Sequence, residues 1–315
     1  MGSKMLSSPA TAQTHEIRPA LLISTDRVVS ALEHICPMRG GSQPHLMRCS
    51  DGHYYVVKFR NNPQGSRILV NEYIAARLAK LLGLPCPETC LVNVREELVQ
   101  LTPRLAIELR DGKVPVEPGL TFGSQYPSCP NGPGRRLLHQ VGSNFTGIAH
   151  QVENLSDFFG ILMFDKWTCN TDHRDVIFLP RRSTLETPYR IMMVDNGFCF
   201  NGINWNFPNF PSLGLYHDCT VYRNAEGIRS LEHWLSQLEV KITAEELMKI
   251  SDGIPKPWLA GERAALTGLL SCLFERKRIV PELLRQALAR SKGCSSRNYS
   301  HCGNTLRTLS MGQKD

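Results

Sequence analysis

Residues 66–85, SRILVNEYIAARLAKLLGLP, constrain the fold more than any other stretch of this chain. Val70, Ile74, Leu78, Leu81 and Leu82 recur at helical spacing, and Gly83 and Pro85 stop the pattern. The segment in front, PHLMRCSDGHYYVVKFRN, reads as a β-hairpin that turns at Asp51-Gly52. HYYVVKF is aromatic and β-branched, as strands prefer. A strand pair feeding an apolar helix points to an α+β chain. The strand ends at Lys58, and Glu72 follows on the helix. A lysine fixed by a glutamate is suited to holding nucleotide phosphates.

Upstream lies CPMRGGSQPHLM. Gly40 and Gly41 with Ser42 form a turn whose backbone N–H groups can approach a phosphate. It is neither a Walker loop, since no GK[ST] follows, nor a GxGxxG. Downstream, LPCPETCLVNV reads as a strand. Residues 104–150 show little periodicity beyond a short strand at GLTFGSQY. That strand leads into a loop, an arrangement expected of a hinge that sets Gly123, Ser124 and Gln125 beside an adenine.

Composition bounds the answer. The 315 residues suit two lobes with a sizeable core, and 42% hydrophobic with 21% charged residues suits a soluble globular protein. No run of eighteen apolar residues occurs, so no membrane span is expected. The start MGSKMLSSPATAQTHE has no apolar core and reads as a disordered leader rather than a secretory signal. Leu6 stands where a myristoylation signal needs Ser or Thr. Eleven cysteines without a CxxC pair, the closest being Cys86 and Cys90, do not make a zinc site. They are expected to be reduced, in a cytoplasmic protein. The net charge of +7 suits anionic ligands, but no dense basic block or recognition helix calls for nucleic acid.

The second half opens with a helix, NLSDFFGILMFDKWTCN, with Asn154 as expected cap and Leu155, Phe158, Phe159 and Leu162 on its buried face. A polar loop, Thr171 to Asp175, follows. Then come the strand VIFLP, the surface turn RRSTLETP, and the strand YRIMMV running into Asp195-Asn196-Gly197. If the two strands form a hairpin, Asp172 and Asp195 meet at one edge. Phosphoryl transfer needs such parts: an acid to orient and deprotonate the attacking hydroxyl, another to hold Mg²⁺, a lysine for the phosphates and a glycine turn over them. Within the loop, Asp165 is expected to brace and Trp167 to lie in the core, with His173 a polar loop residue and Asn196 shaping the turn. Arg174 is expected either to neutralise a γ-phosphate or to pair with Asp175. Residues 201–218 read as a substrate-facing segment or a packing lid. Leu266, Leu269, Leu270 and Leu273 mark one helix face, and Pro281 opens a last helix with Leu284 and Leu288 inside.

Four stretches in this order, RGGSQPHLMRCSDGHYYVVKF, VNEYIAARLAKLLGLPCPE, FDKWTCNTDHRDVIF and MVDNGFCF, resemble the HipA-like kinases. These form a branch of the protein-kinase-like and phosphatidylinositol-kinase-like superfamily. The likeness runs from about Arg18 to Ala289. It implies an α+β bilobal protein-kinase-like fold, with a small antiparallel β N-lobe carrying one helix and a mainly helical C-lobe. The boundaries expected are a leader over 1–17, N-lobe and hinge over 18–126, C-lobe over 127–290 and a disordered basic tail over 291–315.

The resemblance implies that Lys58, braced by Glu72, contacts ATP phosphates under Gly40, Gly41 and Ser42. It makes Asp172 the catalytic base and Asp195 a ligand of Mg²⁺ or Mn²⁺. An asparagine five residues after that base takes a second metal position in relatives; here Ile177 stands there. Asp175 or Asn170 is then expected to supply the ligand. Two functions follow: an ATP-dependent kinase with a Ser/Thr or other hydroxyl acceptor, a protein or a small molecule, or a nucleotide-binding pseudokinase with little or no turnover.

Overall fold

The computed structural model describes residues 26–127, 151–180 and 189–292. The expected leader, the RRSTLETP turn and the basic tail beyond Lys292 lie outside the described residues, as do residues 128–150.

Five strands close into a barrel. They are β1 (Val28–Pro37), β2 (His45–Cys49), β3 (Tyr54–Lys58), β4 (Thr89–Val94) and β7 (Gly119–Gln125), in the order β1-β2-β3-β7-β4. The β2–β3 hairpin turns at Asp51-Gly52 as expected, with Gly52 at φ 81. The expectation of a purely antiparallel sheet is corrected at one seam, where β1 runs parallel to β4 with Val28 opposite Leu91. Closure removes both open edges and wraps the apolar face into an interior. Met47, Tyr55, Val57, Phe59, Cys90 and Val92 fill that interior. Two register shifts in β1, between Ala31 and Glu33 and between His34 and Cys36, bend it around the barrel.

Between β4 and β7 the chain forms a short helix α2 (Glu96–Leu101), a second helix where one was expected before residue 126, and a small hairpin, β5 (Ala106–Leu109) and β6 (Gly112–Pro115). Gly112, at φ 126, begins β6 beyond the Arg110-Asp111 turn.

Helix α1 (Arg67–Leu82) is buried along nearly its whole length. Gly83 ends it at φ 82, and Leu84 N–H donates to the Ala79 carbonyl at 2.9 Å, closing the last turn. α1 joins a second, larger core that includes α3 (Asp157–Thr168) and the antiparallel hairpin of β8 (Asp175–Pro180) and β9 (Tyr189–Val194). The remaining helices are α4 (Ala225–Lys241), α5 (Ala244–Asp252), α6 (Lys256–Leu259), α7 (Arg263–Arg276) and α8 (Val280–Lys292). Trp167 lies in this core as expected, its indole N–H donating to the Leu273 carbonyl at 3.0 Å. Leu266, Leu269, Leu270 and Leu273 of α7 are buried together. No helix among the described residues is long and apolar enough to cross a membrane.

The expected capping of α3 by Asn154 is corrected: its side chain reaches no N–H of the helix's first turn. Its side chain donates to Asp157 and to the Ile191 carbonyl and accepts from the Ile191 N–H, so it fastens α3 to β9. Ser156 occupies the cap position itself without a side-chain hydrogen bond.

Candidate active site

Strand alternation decides what faces the cleft between the barrel and the second core. In the β3–β7 register Lys58 lies opposite Phe122 and Val56 opposite Ser124, and in β4–β7 Thr89 lies opposite Ser124. Side chains two apart share a face. Val56, Lys58, Phe122, Ser124 and Thr89 all line one cleft, together with Arg39, Glu72, Gln125, Asp175, Ile177, Asp195 and Asn196.

Gly123 lies on the other face. A Cβ there would stand 2.5 Å from a Val92 methyl inside the barrel. This corrects its expected place beside the base: Gly123 permits strand packing, and Ser124 and Gln125 border the cleft. The glycine turn also sits differently from expectation. The cleft lining takes Met38, Arg39 and Pro44 from it, but not Gly40, Gly41 or Ser42. Ser42 is buried, and the Gln43 amide ties the turn to the backbone of Glu108 through two bonds of 2.7 Å.

Lys58 is the centre of the site. Its ammonium donates to Glu72 Oε1 and, at 2.8 Å, to Asp195 Oδ1. The side chains of Lys58 and Glu72 are 8% and 4% exposed, whereas that of Asp195 is 50% exposed and open to the cleft. Thr121 fixes the end of β3 by donating its hydroxyl to the Lys58 carbonyl. Asp195 sits at φ 58, so the chain turns sharply after β9. That turn aims the Asn196 N–H at Glu72 Oε1 (3.1 Å) and the Gly197 N–H at Asp195 Oδ1 (3.4 Å). Asn71, one residue before Glu72, secures the turn from α1 by donating to the carbonyls of Gly197 and Gly202.

The charges are coupled. The Lys58 ammonium, outweighing burial, holds Asp195 down at about 2. Burial works against the charge of Lys58, yet Asp195 and Glu72 together raise its pKa above the ordinary lysine value. Burial pushes Glu72 above the usual carboxylate range, against the pull of Lys58. At neutral pH the site therefore holds a charged lysine beside an ionised, solvent-facing Asp195.

The polar loop meets this group through Arg174. Its guanidinium pairs with Asp165, both side chains being 0% exposed. It also donates to the carbonyls of Val194 (2.9 Å) and Asp195 (3.1 Å) and to Asn196 Oδ1 (3.0 Å). Burial opposes the charge on Arg174, but Asp165 raises its pKa. Both expectations for Arg174 are thus corrected. It neither pairs with Asp175 nor faces the cleft, and instead binds the polar loop to the Asp195 turn. Asp165 braces, as expected. Asn196 shapes the turn as expected and also borders the cleft.

Asn170 is drawn away from the cleft as well. It is buried, donates to Asp165 Oδ1 at 3.1 Å and accepts from the Asp172 N–H at 3.2 Å. Its expected role as a metal ligand is corrected to that of a loop brace. Asp175 opens β8 opposite Val194 and lines the cleft with Asp195. Asp172 is exposed at the tip of the loop, its Oδ1 accepting from the His173 N–H at 2.8 Å; the expected meeting of Asp172 and Asp195 is corrected, since the carboxylate beside Asp195 in the cleft lining is Asp175 and not Asp172. Ile177 is buried in β8 with a side on the cleft.

Sequence reasoning missed Arg39, Thr89 and Phe122 as cleft residues. Arg39 stands directly before the glycine pair, where a basic residue was a readable signal. Thr89 and Phe122 are found only through the barrel register.

Comparison with known proteins gives three findings. A search of curated proteins returned no match. Solved structures with a similar course include a Helicobacter pylori proinflammatory kinase, CtkA, at 14% identity and a TM-score of 0.42, covering 86% of this chain and 100% of that one. A Golgi casein kinase with Mn/ADP bound is similar at 12% identity and a TM-score of 0.42, covering 87% of this chain and 74% of that one. Scores below 0.5 describe a distant likeness, and no functional statement follows from them. The family model described as HipA-like kinase matches residues 33–176, a span that holds Lys58, Glu72, Asp172 and Asp175 and stops before Asp195. Over that span this chain is similar to the HipA-like kinases, as its motifs suggested.

Proposed function

We propose that this chain is a kinase-type phosphotransferase that binds ATP in the cleft and moves its γ-phosphate to a hydroxyl acceptor. The observation that carries this reading is Lys58 held between buried Glu72 and solvent-facing Asp195. A lysine fixed in this way presents its charge to phosphate oxygens. The barrel with α1 would form the N-lobe (18–126) and the helices with β8–β9 the C-lobe (127–290).

Asp195 and Asp175 supply hard carboxylate oxygens to one cleft. A pair of carboxylates of this kind suits Mg²⁺. That ion typically takes one or two carboxylates and completes its shell with water and substrate phosphate. When bound, it would neutralise charge developing on the phosphates. Asp172, exposed at the loop tip, would accept the proton of the acceptor hydroxyl. The acceptor oxygen then forms its bond to the γ-phosphorus, the bond to the β-phosphate oxygen breaks, and the nucleoside diphosphate leaves. Arg39 would border the phosphates at the mouth.

A second reading, a nucleotide-binding pseudokinase, is favoured by Ile177, which gives the cleft an apolar side chain where a ligand is usual. One experiment separates the two. ATP consumption is measured with Mg²⁺ or Mn²⁺ for the wild type, Asp172→Asn and Asp195→Asn. Turnover lost in both variants supports the kinase. Nucleotide-dependent thermal stabilisation without wild-type turnover supports the pseudokinase.

A further inference from the structure

Lys166 and Arg276 are buried cations that the proposed chemistry does not use. Neither makes an ion pair among the described residues, and burying such charges is costly. Both are turned toward one stretch of backbone, the segment after the Asp195 turn. Lys166, near the end of α3, donates to the carbonyls of Pro211 (2.8 Å) and Leu213. Arg276, at the end of α7, donates to the Phe207 carbonyl (3.4 Å) and to Asn209 Oδ1 (2.8 Å), with its guanidinium over the Phe207 ring. A further bond joins the pair, from Arg276 Nε to the Lys166 carbonyl at 3.2 Å. The Cys169 thiol adds a contact to the Pro208 carbonyl at 3.2 Å. Residues 207–213 are therefore held from beneath by two cations on two different helices.

The held segment leads directly to the loop that carries Asp172. Gly214 packs so closely on the Asn170 carbonyl that a Cβ would stand 2.8 Å from it. The Leu215 carbonyl accepts the Arg174 N–H at 3.2 Å. On the other side, the Phe198 carbonyl accepts the Thr171 N–H at 3.2 Å. Asp172 is thus suspended between Asn170 and Arg174, and the 198–215 segment contacts the loop on both sides of it.

We infer that Lys166 and Arg276 are positioning residues that clamp segment 207–213 and thereby set the position of Asp172 for the acceptor. The inference rests on the phosphotransferase reading for its catalytic part. Its geometric part stands apart from that reading and is tested separately.

The test uses the full chain with Lys166→Met, Arg276→Met and the conservative Arg276→Lys. Amide hydrogen exchange is followed in peptides covering 170–174 and 207–215, with a peptide from α1 as reference. Phosphate transfer is measured alongside, with its nucleotide KM. The Met variants are expected to exchange faster in both loop peptides and not in α1. Their kcat is expected to fall by about 10- to 100-fold, the scale for a misplaced reacting group, with nucleotide KM nearly unchanged. Arg276→Lys is expected to recover part of both effects. Unchanged exchange at 170–174 overturns the inference, as does faster exchange with an unchanged kcat. If the wild type shows no transfer, the phosphotransferase reading fails, and the exchange data alone decide whether the clamp holds the loop.

Discussion

Lys58→Met tests the electrostatics of the site directly. The ammonium lies between two carboxylates of very different exposure, Glu72 at 4% and Asp195 at 50%. When the lysine is removed, Asp195 keeps its water. Glu72 does not, since its remaining hydrogen bond at Oε1 comes from the Asn196 N–H. Breaking a buried pair by deleting one partner costs about 3–5 kcal/mol, whereas replacing both by neutral groups is often close to neutral. Lys58→Met is therefore expected to lose about 3–5 kcal/mol at pH 8. Lys58→Met/Glu72→Gln is expected to recover most of that loss. The pH dependence has a definite sign. Burial already raises Glu72 above its unfolded value, and without Lys58 it holds its proton to still higher pH. The folded variant then binds more protons than the unfolded chain, so its stability falls as pH rises and its deficit is smaller at pH 5 than at pH 8. Urea unfolding of the wild type and both variants at the two pH values measures this. Equal destabilisation of the single and double variants, independent of pH, would refute the claim that Lys58 compensates a buried Glu72 charge.

Three further outcomes follow from other parts of the structure. Gly123→Ala places a methyl 2.5 Å from Val92 inside the barrel and is expected to cost about 1–3 kcal/mol in urea unfolding. Nucleotide-dependent stabilisation of that variant should persist, and its selective loss would return Gly123 to the base. Burial, aided by His34 at 2.9 Å, lowers His45 to about 4. An unfolded histidine binds its proton first, so this contribution is complete above about pH 6.5 and is lost as pH falls toward 4; His45→Gln should flatten a thermal-melting profile across that window. Arg174→Met strands the wholly buried Asp165 and is expected to cost about 3–5 kcal/mol, with Asp165→Asn/Arg174→Met recovering part of it in the same unfolding assay.

The parts of the site that were legible are those set by short-range pattern. Lys58 and Glu72 belong to one strand–helix unit, and the helical spacing from Val70 to Leu82 with its Gly83 stop corresponds to α1. Asp195 was legible because a strand of apolar residues runs into an Asp-x-Gly turn, and β8 and β9 pair to put Asp175 beside that turn. β1 was not legible. Apolar Val28 and Leu32 stand on its exposed face beside the buried Val29 and Ala31, so polarity does not mark the alternation, and beyond Ala31 two register shifts break it. The β5–β6 hairpin had a readable signal in Asp111-Gly112, but its strands are four residues each and largely exposed.

By itself, the sequence determined the order β2, β3, α1, β4 and the order α3, β8, β9, the apolar positions of α1 and α7, and the set of charged residues available to the site. Spacing along the chain carries that information, because helix and strand periods are local properties of the backbone. Only the tertiary structure decided which of these side chains share the cleft. Closure of the barrel set the register that turns Ser124 toward the cleft and Gly123 inward. Burial turned Arg174 to Asp165 and Asn170 to the loop backbone, leaving Asp195 and Asp175 on the open side. These outcomes depend on partners far apart in sequence. A buried charge or amide takes whatever partner the packing brings within reach, and no local pattern encodes that choice.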